Sequence, residues 1–113
     1  MSIEQTYIVD AIGTDISSGL IVLTISDHLD WNKDHIFLLQ EKLNVYLAFI
    51  ESGEIYSIYP SAKGREFAIS IVCKYMPSPD GYDFLVKATS VLDSSGIKLL
   101  YGPTDSGYFG SVG

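Results

Sequence analysis

The chain has 113 residues, of which 47% are hydrophobic and 19% charged, with a formal charge of -7. A length of this order builds one domain, and so apolar a composition supports a buried core and excludes a disordered polyampholyte. There is no run of about 20 apolar residues of the kind that spans a bilayer, and the net charge opposes binding to phosphate or anionic lipid.

The first predicted elements are two apolar, β-branched strands, Tyr7 to Gly13 and Leu20 to Asp27. Between them, Thr14-Asp15-Ile16-Ser17-Ser18-Gly19 is polar and ends on glycine, the chemistry of a hairpin loop. From Trp31 to Glu51, Ile36, Leu39, Leu43, Tyr46, Leu47 and Ile50 recur at spacings of three and four, which predicts a helix with one apolar face. Ser52-Gly53 is its stop, because glycine adopts the left-handed conformation that closes a helix. The piece Glu54 to Pro60 leaves room for a further short helix that Pro60 ends.

Glu66 to Tyr75 alternates, with Phe67, Ile69, Ile71, Cys73 and Tyr75 on one side and Ala68, Ser70, Val72 and Lys74 on the other, as a strand with one strongly apolar face does. Ser78 then caps a second long helix that has Pro79 at its first position, where a missing N–H is harmless. Phe84, Leu85, Ala88, Val91 and Leu92 form its buried stripe, Ser94-Ser95-Gly96 ends it, and Ile97 to Tyr101 is a last strand. The order β-β-α-β-α-β predicts an α+β two-layer sandwich, in which one mixed or antiparallel sheet carries both helices on one face. Residues 1–101 make this single domain. Gly102 to Gly113, with four glycines and no periodicity, is expected to be a flexible tail.

The charge is unevenly placed. Residues 1–62 hold nine acids against Lys33 and Lys42, whereas residues 63–113 hold five acids and five bases, so the net charge belongs to the first half. Such a surface suits a basic protein partner and disfavours nucleic acid and membrane. Lone Cys73 forms no internal disulfide, and Met1-Ser2-Ile3-Glu4-Gln5 lacks the cationic end and apolar run of a secretion signal, so the expected location is the cytoplasm.

Four groups of residues are candidates for a function. Asp27, His28, Asp30, Asp34 and His35 are a dense set of zinc- or iron-type ligands, although a strand-to-helix turn capped by Asp30 or Asn32 uses the same residue types without a metal. Trp31, Tyr46, Tyr56 and Tyr59 would line a pocket or groove, since each joins an apolar ring to a polar tip, and eight tyrosines in so short a chain are unusual. Ile8, Ile12, Leu20, Val22, Val72 and Leu100 would face away from the helices and form an apolar self-association surface. Ser61-Ala62-Lys63-Gly64-Arg65 places two bases in a turn but lacks the phosphate-loop pattern, and reads as a solvated loop. Cys73, between Ile71 and Tyr75 on the apolar face, is expected to be a buried small hydrophobe.

The phrases Ile3-Glu4-Gln5-Thr6, Val9-Asp10-Ala11-Ile12-Gly13, Leu23-Thr24-Ile25-Ser26-Asp27-His28-Leu29-Asp30-Trp31, Leu39-Gln40-Glu41-Lys42-Leu43-Asn44 and Tyr46-Leu47-Ala48-Phe49-Ile50-Glu51-Ser52-Gly53 resemble a family of small bacterial proteins of unknown function. The resemblance covers most of residues 3–101 and implies a bacterial cytoplasmic protein; no activity or site residue transfers with it. The expected function is protein–protein association, as a homodimer and as an adaptor or immunity-type partner of a basic protein. The alternatives are a metal-dependent small enzyme or binder using the Asp27 to His35 cluster and a small-molecule-binding domain; no cofactor is implied.

Overall fold

The structure is a computed structural model and describes residues 11–28 and 30–102. Its elements are β1 (Ala11–Thr14), β2 (Ile21–Asp27), α1 (Lys33–Glu51), α2 (Glu54–Ile58), a 3-10 turn (Pro60–Ala62), β3 (Phe67–Cys73), α3 (Pro79–Ser94) and β4 (Ile97–Gly102). The fold is α+β, with the short helix α2 added to the expected order. Residues 7–10 of the first predicted strand and residues 103–113 of the glycine-rich tail lie outside the described residues.

The sheet is mixed, in the order β1-β2-β3-β4. β1 runs antiparallel to β2, while β2, β3 and β4 are mutually parallel. Parallel neighbours require long crossovers, and α1 and α3 supply them. The register stacks Ile21, Phe67 and Ile97 in one row, Leu23, Ile69 and Leu99 in the next, and Ile25, Ile71 and Tyr101 in a third. All nine belong to one core with Leu39, Leu43 and Tyr46 of α1 and Leu85 and Leu92 of α3, so both helices cover the same face. A fourth row, Asp27 beside Cys73, closes the carboxyl end of the parallel strands.

Local chemistry sets the helix boundaries. Asn32 caps α1 by accepting from the His35 backbone N–H at 2.9 Å, and Ser78 caps α3 by accepting from Gly81 at 3.1 Å, each satisfying an otherwise orphaned donor. Past α1, Gly53 stands at φ 83, a conformation that a β-carbon disfavours.

The second face of the sheet carries Val22, Thr24, Ala68, Ser70, Val72 and Leu100. Its centre is closed: Ala68 and Ser70 are fully buried, and the other four are half-buried. Of the six residues expected to face away from the helices, Val22, Val72 and Leu100 do so, and half-buried Leu20 precedes β2. Ile8 lies outside the described residues. Ile12 corrects the expectation: it pairs with Leu23 and packs on the helix-side core, because register, not hydrophobicity, decides which side a strand residue takes.

Candidate functional site

The carboxyl ends of β2 and β3 and the N-termini of α1 and α3 meet at one edge of the sheet, the position where parallel α/β sheets commonly hold ligands. Its foundation is a buried polar pair. Asp27 ends β2, His35 lies in the first turn of α1, and the Asp27 Oδ2 and His35 Nε2 atoms are 2.5 Å apart with both side chains 1% exposed. The other ring nitrogen, Nδ1, is 3.0 Å from the backbone carbonyl of Asp30. A carbonyl can only accept, so Nδ1 carries a proton and donates it, while Nε2 faces the Asp27 carboxyl. Both ring nitrogens are therefore engaged, and the pair braces the loop from β2 into α1.

Trp31 joins the three segments of this edge. Its ring lies 4.1 Å, centroid to centroid, from that of His35, and its indole N–H donates to the backbone carbonyl of Tyr75 at 3.1 Å. The opposite edge of the indole lies against Gly81 in α3, where a β-carbon would fall 2.3 Å from Cε3. Glycine at position 81 is thus what lets helix and indole approach. Cys73 is buried beside this brace, and burial together with the negative charge of Asp27 pushes its thiol up to about 12. A thiol held protonated in this way is a poor nucleophile.

Above the brace the surface is open. Tyr75 is 42%, Met76 71% and Tyr82 47% exposed, and Asp30, Asp34, Asp80 and Asp83, in the segments that lead into and begin α1 and α3, are exposed as well, as are Lys33 and Lys74. Tyr82 leans edge-on against buried Tyr101, 6.5 Å between centroids. The Lys74 ammonium stands 5.4 Å from the centroid of the Tyr75 ring.

The predicted residues are distributed differently from the sequence grouping. Asp27 and His35 come together; His28, Asp30 and Asp34 are exposed, and among the described residues no three such groups assemble in a way that could hold a metal ion. The four aromatic residues do not share a pocket. Trp31 is at the carboxyl edge, Tyr46 is fully buried with its hydroxyl donating to the Thr24 carbonyl, and Tyr56 and Tyr59 are at the opposite edge, against Phe67 and Thr14. Sequence reasoning missed the Trp31–Gly81 contact, which joins residues far apart in the chain. It also missed Lys42, fully buried with its ammonium 5.8 Å from the Tyr46 ring centroid; its place four residues before Tyr46 and three after Leu39 is the signal that it lies on the inward stripe.

Residues 1–105 match a family of unknown function, DUF6572. The chain belongs to DUF6572. No curated protein and no solved structure matches it. Within this DUF6572 protein, the carboxyl edge combines a rigid buried support with exposed aromatic and thioether side chains, a combination suited to contact with another macromolecule.

Proposed function

We propose that this DUF6572 protein is a binding module that recognises a basic protein, in an adaptor or immunity-type role, through the carboxyl edge of its sheet. The observation that carries this reading is the exposure of Tyr75, Met76 and Tyr82 at an edge anchored by Trp31, in a chain with a formal charge of -7. Tyrosine anchors supply large contact area at small entropic cost and are frequent hot spots, and surrounding acidic charge accelerates encounter with a cationic partner. The brace beneath the surface is closed to solvent, which favours a structural role for Asp27 and His35 over a catalytic one. The apolar groove between α1 and α3 is a weaker candidate, because Lys87 is the one charged group among its lining residues and the acidic character of the chain is not used there.

A photo-crosslinking side chain placed at Tyr82, with Ile58 at the opposite edge as control, tests this in cells. The expected outcome is an adduct with one basic protein from position 82 and none from position 58. The complex reconstituted from purified components should weaken at least about tenfold with Tyr75→Ala/Tyr82→Ala. Equal capture from both positions, or unchanged affinity in the double variant, defeats the reading.

Self-association is the second reading, favoured by the half-buried Val22, Val72 and Leu100 sharing the sheet's other face. Sedimentation equilibrium should then show a dimer that Val72→Lys dissociates; a monomer at every concentration rules this out.

A further inference from the structure

We infer that the cleft between β1, the C-terminal half of α1 and α2 is a site for a free small organic amine, whose apolar body lies against Ile12, Val45, Phe49 and Ile58 and whose ammonium meets the carboxylate of Glu54. The inference goes beyond the reading of the carboxyl edge as a protein-binding face and does not depend on it.

The cleft has a volume of about 610 Å³, inside the range of about 300–1,000 Å³ that small-molecule sites occupy. Its floor is Ile12, on the helix side of β1. One wall is the flank of α1 that carries Val45, Ala48 and Phe49; the other is α2, where Glu54 and Ile58 stand four residues apart and so share a face. The chain itself holds these walls apart. Gly53, at φ 83, turns the backbone between α1 and α2, Ile55 anchors α2 in the core, and the Tyr59 hydroxyl just past α2 bonds Thr14 of β1 at 2.7 Å. A space whose walls are already fixed admits a ligand with little loss to ordering.

The lining selects the chemistry. Among the described residues that line the cleft, Glu54 carries the one charge, and it is exposed. The Glu54 backbone N–H donates to the hydroxyl of Ser52, another lining residue, at 3.3 Å, which fixes the backbone from which the carboxylate projects. A carboxylate at the rim of an apolar cleft repels an acid, offers a neutral molecule no ion pair, and offers an ammonium a charge-assisted hydrogen bond. An aliphatic amine is protonated at neutral pH, as a lysine is. Its hydrocarbon part gains by burial against the apolar walls.

Phenethylamine, with 2-phenylethanol and 3-phenylpropionate as its neutral and anionic counterparts, titrated into the full chain and followed by methyl NMR, tests the site. The amine should shift the methyl signals of Ile12, Val45, Ala48 and Ile58 and leave those of Val22 and Val72, on the sheet's other face, in place. The alcohol should bind about two- to fivefold more weakly, and the carboxylate more weakly still. Glu54→Gln should bring the amine down to the affinity of the alcohol, while Asp93→Asn, which removes the same charge from an exposed position outside the cleft, should not. Ala48→Trp, at an exposed position of α1, should fill the cleft and abolish the shifts with the melting temperature preserved. Absence of these shifts at millimolar phenethylamine, equal affinity for the three probes, or binding that survives Ala48→Trp overturns the site.

Discussion

The two edges of the parallel strands use similar side chains to opposite ends. At the amino edge the tyrosines are tied down: Tyr59 hydrogen-bonds Thr14 at 2.7 Å, and Tyr56 packs edge-on against Phe67. At the carboxyl edge Tyr75 and Tyr82 stay largely exposed, even though Tyr82 also leans on Tyr101, and the order beneath them comes from a buried Asp27–His35 pair and from Trp31. Tyrosine content alone therefore does not identify a functional face. The informative features are how much of the ring stays exposed and what fixes its surroundings.

The largest effect that tests this contrast is at the brace. Removing one partner of a buried, hydrogen-bonded pair leaves the other uncompensated, so Asp27→Ala or His35→Ala should destabilise by about 3–5 kcal/mol in urea denaturation. Asp27→Asn, whose amide can donate to a neutral Nε2, should lose less, about 1–2 kcal/mol. Equal losses for Ala and Asn would mean that the hydrogen bond to the ring contributes nothing.

Next is the contact between helix and indole. Gly81→Val should destabilise by about 1–3 kcal/mol through overpacking against Trp31. The same substitution in a Trp31→Ala background should cost markedly less, because the two sites share one contact. Additive losses would separate α3 from the indole and remove the link across the edge.

A smaller effect is confined to alkaline pH. The Cys73 thiol is raised from 9.0 to about 12 by burial and by Asp27, so between those values the folded chain holds a proton that the unfolded chain has released. Its contribution to stability is complete below pH 9 and falls as pH rises towards 12. Cys73→Ala should flatten that part of the stability profile, and the native thiol should resist iodoacetamide at pH 8 until the chain unfolds. Rapid alkylation of the folded protein would contradict the burial.

The smallest effect is expected at the amino edge. Tyr59→Phe removes an exposed hydroxyl–hydroxyl bond and should change stability by less than about 1 kcal/mol. A loss as large as that of His35→Ala would erase the distinction between a braced edge and a tied one.

Much of the fold is legible locally. The strand from Phe67 to Cys73, the spacing of Leu39, Leu43 and Tyr46, and the cap at Ser78 are short-range patterns set by strand and helix geometry, and the structure shows each of them; of Asp30 and Asn32, it is Asn32 that caps α1. The candidate site is less legible. Asp27 and His35 fall in one dense stretch that suits metal ligation and helix capping equally, and the difference depends on where each ring nitrogen points. Gly81 reads as a weak helix residue until Trp31, fifty positions away in the sequence, is found against it.

By itself the sequence determined an acidic α+β domain with its helices, strands and capping residues, because those follow from side-chain periodicity and local hydrogen bonding. Strand pairing decided the rest. It ran β2, β3 and β4 parallel, turned Ile12 towards the helices, and brought Trp31, Tyr75 and Gly81 to one edge. Register and crossover direction are relations between distant segments, and they emerge only when the whole chain packs.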